Sequence, residues 1–220
     1  FVLEIIIAIP LGVIAATKQY SRTDYVITAA ALVGISLPTF FFATLLKLFF
    51  SVKLGWFDLY GLVGRNYAQL DSMGQFLDKA NHLVLPIATL VIVSIGGYMR
   101  YTRTNMLEVL NADYIRTARA KGLPEWAVVW KHGFRTALLP VVTTILNHIP
   151  HIIGGSLVVE RIFGWPGMGS LLFTSVSSRD YTVIMGLTVV IALTVLATGI
   201  LMDLVYRLVD PGVGWGGEGR

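Results

Sequence analysis

The chain has 220 residues, 55% of them hydrophobic and only 14% charged, with a mean hydropathy of +0.71. A soluble domain carries about 25% charged residues, so the composition argues against a soluble globule and excludes a disordered chain. There is no cysteine, hence no disulfide framework, thiolate metal site or cysteine nucleophile, and the net charge of +4 reports orientation in a membrane rather than a nucleic-acid surface.

The first apolar run, Ile5–Thr17, is too short to cross a bilayer alone and reads as the end of a spanning helix that begins before Phe1. Four further runs, Tyr25–Leu46, Ala80–Met99, Thr136–Val159 and Tyr181–Met202, contain no Asp, Glu, Lys or Arg over twenty or more residues. About 20 apolar residues cross a 30 Å hydrocarbon core as a helix, so each is a predicted span. Pro38, Pro86 near the start of its run, and Pro150 deep in its run predict bent helices. The small residues at 29–31, Gly96–Gly97 and Gly154–Ser156 predict close helix packing. Between the spans, 51–79 mixes Trp56, Phe57, Tyr60 and Tyr67 with charges and reads as interfacial. The stretch Ile162–Ser178 lacks charge but is too rich in Gly and Pro to cross, and predicts a short helix dipping back toward the membrane.

The basic residues divide unevenly. Lys18, Arg22, Arg100, Arg103, Arg116, Arg119, Lys121, Lys131, Arg135, Arg207 and Arg220 fall on one side, and Lys47, Lys53, Arg65, Lys79, Arg161 and Arg179 on the other. The positive-inside rule places the first side, with the C-terminal tail, in the cytoplasm. The fold class is therefore all-α, a polytopic transmembrane helical bundle in a cell membrane, with lipid as its first partner.

One loop on that side has structure of its own, an elbow over residues 105–137. Glu108–Lys121 has helical composition, with Leu107, Leu110, Tyr114, Ala118 and Lys121 as a stripe. Gly122 ends the helix, Pro124 restarts one with Glu125 in its first turn, and Trp126, Val129 and Trp130 form a second stripe. A short rigid helix with small residues such as Ala118 and Ala120 fits a groove of another protein. Packing beneath its own bundle, beside anionic lipid headgroups, is the alternative. Nothing else in the chain supports nucleic-acid binding.

The stretches YIRTARAKG, LLP, VVERIFGWPGMGSLLFTSVSSRDYTVIMG and DLVYRLVDP, with IPLGV and SLPTFFF earlier, resemble the inner-membrane permease subunits of ABC importers for dipeptides and oligopeptides. The resemblance covers essentially the whole chain. In binding-protein-dependent permeases the elbow reads EAA, three residues, Gly, nine residues, Ile, one residue, LP. Here Gly122 and Ala118 match. Arg116, Thr117 and His132 stand at the Glu, first Ala and Ile positions, and Leu139–Pro140 comes five residues late. The resemblance implies a single permease domain over 1–220 with six spanning helices, about five of them within the chain. It also implies a second homologous permease, two cytoplasmic ATPase subunits that bind ATP and Mg, and an extracytoplasmic substrate-binding protein. The cargo it implies is a peptide, with nickel, glutathione or another small solute as alternatives. In that reading Tyr114, Ile115, Arg116, Thr117, Ala118, Arg119, Ala120, Lys121 and Gly122 form the docking surface for the ATPase, with Arg135 or Glu108 bracing it.

Other constellations are weaker. There is no GxxxxGK[ST] phosphate loop, so no ATP site of that kind in this chain. His148 and His151, spaced i, i+3 beside Asn147, are candidates to line a translocation pathway, since polar groups inside a membrane face a cavity or the bundle interior. Two imidazoles alone make a poor metal site, and no cofactor bound by this chain is expected. Asp203 and Arg207 have i, i+4 ion-pair spacing. A passive channel would need filter rings and an intramembrane enzyme an acid–base pair; neither is visible.

Overall fold

A computed structural model of the chain describes residues 1–209, and every regular element among them is helical. The tail with Asp210 and Arg220, and the Asp203–Arg207 side-chain pairing, lie outside what is described.

The bundle is built around one helix. α1 (Val2–Thr17) and α2 (Arg22–Ser36) both pack on α4 (Ser72–Leu110). α4 has 39 residues, about 58 Å at 1.5 Å per residue and so about twice the hydrocarbon thickness. The charge-free run Ala80–Met99, expected as the span, is only the middle of this helix. Charge ends a span but not a helix, and the polar turns at both ends continue the α4 ladder. Its start is fixed by Asp71, whose Oδ1 accepts the Gly74 N–H at 2.9 Å. Pro86 is therefore interior to the helix rather than near its start.

Small residues set the crossings, as expected for helices that must approach closely in lipid. A Cβ on Gly12 would lie 2.7 Å from the Met99 carbonyl oxygen, and one on Gly96 would press against the Ala31 carbonyl. Gly97 meets nothing within 4 Å, so only one of that pair is a contact. At the end of the bundle that carries the elbow, hereafter the elbow end, Asp24 is buried at the start of α2. It accepts from Arg103 Nε at 2.8 Å and Nη2 at 2.7 Å, from the Tyr20 N–H at 3.0 Å and from Thr28 Oγ1 at 3.2 Å. These bonds hold its carboxyl below the usual range, Arg103 contributing most.

The run Tyr25–Leu46 is not one straight helix. It bends by 100° at Leu37–Pro38 into α3 (Thr39–Leu46), which continues as a wide turn over Lys47–Lys53. Pro38 holds the preceding residue extended and removes the donor that would continue α2.

α5 (Asp113–Ala120) is the first limb of the elbow. The second limb starts a continuous 28-residue helical path, Ala127–Gly154. It comprises a wide-wound stretch Ala127–Phe134, α6 (Arg135–Asn147) and α7 (Ile149–Gly154). Pro150 stands in the first turn of α7, where its missing N–H is tolerated. The expected helix Thr136–Val159 stops earlier, because Gly155 adopts φ +79° and turns the chain.

At the opposite, loop end, α8 (Leu157–Phe163) and α9 (Met168–Ser178) form a hairpin that does not cross the bundle; α9 packs on α7, α8 and α10. The buried Glu160 carboxylate accepts the Gly169 N–H at 3.3 Å and the Ser170 N–H at 2.6 Å, capping the α9 N-terminus. This is the physical content of GWPGMG: a Cβ on Gly167 or Gly169 would press on that carboxylate or the Leu157 backbone. The wide turn and the loop that follows it (residues 54–71, called the outer loop for its place at this end) are pinned to the hairpin by Lys47 Nζ donating to the Ile162 carbonyl at 2.6 Å and Trp165 Nε1 donating to the Gly61 carbonyl at 3.1 Å. α10 (Tyr181–Val209) runs back to the elbow end, its flanks largely exposed and apolar, as lipid-facing sides must be.

Candidate functional site

Two places collect the residues singled out in the sequence. The first is the elbow. α4 breaks at Asn111–Ala112, which rotates the helical register. The stripe that continues inward is Ile115 and Ala118, packed with Val128 and Val109, not Tyr114 and Lys121. Gly122 closes α5 with φ +76°, a left-handed conformation that favours glycine. The Gly122 N–H donates to the Arg119 carbonyl at 2.9 Å and the Leu123 N–H to the Ala118 carbonyl at 3.4 Å, the paired bonds of a Schellman stop. The chain then turns at Pro124, whose carbonyl accepts the Ala127 and Val128 N–H groups.

The brace across the turn is Arg119–Glu125, with Nη2–Oε1 at 2.7 Å and Nε–Oε2 at 3.2 Å, rather than a pair from Arg135 or Glu108. The fork hydrogen bonds hold the Glu125 carboxyl below its ordinary value and raise the Arg119 guanidinium. Both groups are exposed, and such pairs contribute about 0–1 kcal/mol; the rigidity comes chiefly from the Gly122 stop and the buried contacts. The second limb is anchored by Val129 and Ala137 against Val13, Ala16, Met106 and Leu110 of α1 and α4. Gly133 lets it approach Leu110.

The outward surface of the elbow is thus Tyr114, Arg116, Thr117, Ala120, Lys121 and Gly122, joined by exposed Trp126 and Trp130. Of the nine residues given a docking role, Ile115 and Ala118 are buried supports. The stripe Trp126–Val129–Trp130 splits, Val129 inward and the two indoles outward, because the winding over Ala127–Phe134 is wider than α-helical.

The second place is a cleft of about 280 Å³ between α1, α4 and α7, bordered by Glu4, Ser94, His148, His151 and Ser156. The His148 ring stands edge-on to Tyr98 with centroids 5.5 Å apart, and its centroid is 5.4 Å from that of His151. Tyr98 Oη is buried without a hydrogen-bond partner. The two histidines and this cleft come together; Asn147 is exposed and does not border it. Among the described residues, the group with three metal-competent side chains lies elsewhere, at Asp58, Asp78 and His82 in the loop end. The Asp78/His82 i, i+4 spacing was visible in the sequence; Asp58 joins only through the loop's path.

The comparisons with known proteins fall on this framework. The family model for the binding-protein-dependent transport system inner membrane component matches residues 8–215. The oligopeptide transport system permease protein AppB of Bacillus subtilis is 46% identical over 210 residues, covering 96% of this chain and 65% of the relative. A putative peptide permease protein of Brucella ovis is 44% identical over 211 residues, covering 95% of the chain and 64% of the relative. The oligopeptide permease protein OppB of Haemophilus influenzae is 35% identical over 211 residues, covering 96% and 65%. The chain thus spans somewhat less than two thirds of the length of these relatives. An all-helical bundle with several membrane-length apolar helices, matched by the family model over nearly its whole length, makes the chain a member of the binding-protein-dependent transport system inner membrane component family.

Proposed function

We propose that the chain is the membrane-spanning part of a permease subunit in an ATP-driven importer of peptides. It moves its cargo by alternating access and performs no chemistry itself. A second related permease completes the pathway, an extracytoplasmic binding protein delivers substrate, and two cytoplasmic ATPases supply the stroke from ATP and Mg. The elbow end and the tail face the cytoplasm, as the distribution of Lys and Arg favours. The single observation that carries the coupling role is the construction of the elbow. A short helix with Thr117 and Ala120 exposed is stopped at Gly122 and packed through Ile115 and Ala118 on α4 and the second limb, which is itself packed on α1 and α4. A displacement of that face is passed to the helices bordering the His148–His151 cleft. Peptide as cargo rests on the relatives' names.

Ala120→Trp tests this in the full-length permease assembled with its partners. The substitution keeps a helical residue on an exposed position but fills the groove-facing side. The expected result is at least a tenfold loss of uptake and of substrate-stimulated ATP hydrolysis, with insertion unchanged. Normal uptake by that variant would overturn the coupling role.

A further inference from the structure

We propose that Asp58, Asp78 and His82 form a divalent-metal site of the zinc class that staples the outer loop to the first turns of α4. This goes beyond the transport reading and does not depend on it. Metal-competent atoms of the three side chains lie within 4.8 Å of one another. Asp78 and His82 are four apart on one face of α4, and Asp58 is brought to them by the loop. Its N–H donates to Asn81 Oδ1 at 3.3 Å, while Asn81 Nδ2 donates to the Trp56 carbonyl at 3.2 Å.

The orientation of His82 points to a cation. Its side chain is only 2% exposed. Nδ1 lies 2.8 Å from the Asp78 carbonyl oxygen and 3.8 Å from Asp78 Oδ2; a carbonyl accepts, so Nδ1 carries a proton, and Nε2 is the ring nitrogen on the Asp58 side. This arrangement fixes the tautomer of metal-bound histidines. Nε2 lies 3.4 Å from Asp58 Oδ2, longer than a usual N–H···O bond of about 2.7–3.2 Å. It matches the ligand-to-ligand edge, about 3.4 Å, of a tetrahedron with zinc bonds of about 2.0–2.1 Å. Asp78 has its own orienting partner, the Gly64 N–H at 2.8 Å from Oδ2. Beside the three lies an open cavity of about 740 Å³, which supplies an entry path and room for a fourth, solvent ligand. One imidazole with two carboxylates suits zinc better than magnesium or calcium, which favour more oxygen ligands.

The test uses the full-length permease in nanodiscs, stripped with a chelator and titrated with Zn²⁺ against a chromophoric competitor. The expected result is one Zn²⁺ per chain, bound with micromolar or tighter affinity and raising the thermal unfolding midpoint. Asp58→Asn, at an exposed side chain that leaves the fold intact, and His82→Gln each weaken binding at least tenfold. A His148→Gln/His151→Gln variant binds as the parent does. The proposal is overturned if the parent takes up no Zn²⁺, if Asp58→Asn and His82→Gln retain parental affinity, or if binding disappears in the His148/His151 variant instead.

Discussion

Asp24 shows how much one side chain can hold at a membrane boundary. It satisfies the first turn of α2 and ties that helix to Arg103 on α4 through two charge-assisted bonds. Hydrogen bonds to charged groups contribute about 1.5–3 kcal/mol each when one partner is lost, so Asp24→Ala is expected to lower stability in detergent by about 2–3 kcal/mol. Because Arg103 holds the carboxyl below the ordinary carboxylate range, the contribution is fully present above that range and is lost as pH falls through the lowered value. The unfolding midpoints of parent and variant should therefore differ by a constant amount between pH 5 and 7 and converge only below about pH 4. A gap that closes already at pH 6 would mean that another group carries it. Glu160 plays the matching part at the loop end, where its carboxylate meets two N–H groups of α9 and explains the glycines around it.

The elements were legible in the sequence where lipid alone decides, and less so where neighbours do. Apolar runs marked α4 and α10, because a 30 Å layer without water demands unbroken helix. The non-crossing hairpin could be read from its Gly and Pro density. The length of α4 could not, since its polar ends are helical for local reasons such as the Asp71 cap. The 100° break at Pro38 was foreshadowed by the proline but not its size. In the elbow, Gly122 and Pro124 marked the turn correctly. The inward stripe was misassigned because a two-residue break at Asn111–Ala112 resets the helical phase, which no periodicity count across the break can follow. Helix crossings give a paired prediction. Gly96→Ala would drive a methyl into the Ala31 carbonyl and the Ile35 side chain, whereas Gly97→Ala meets nothing. The first should cost about 1–3 kcal/mol by overpacking. The second should be neutral or slightly stabilising by helix propensity. Equal effects in thermal denaturation would contradict the crossing.

At the scale of the whole molecule, α4 joins the three places that matter. Its C-terminal turns carry the elbow contacts, its middle borders the cleft with His148 and His151, and its N-terminal turns hold Asp78 and His82. In the proposed mechanism this helix carries a push at the elbow to the side chains of the cleft. The proposed docking role of the elbow rests on the family pattern around Gly122; which of its residues face outward is visible only in the fold. These 220 residues contain no cysteine, so a thiol introduced among them is the one reactive thiol they carry. The most direct measurement is disulfide or short-linker cross-linking from Ala120→Cys and Thr117→Cys in the assembled transporter. Adducts with the ATPase subunit are expected, their yield changing when ATP is bound, and none from Leu59→Cys at the loop end. Absence of ATPase adducts from both elbow positions in an assembled, transporting complex would contradict the coupling role.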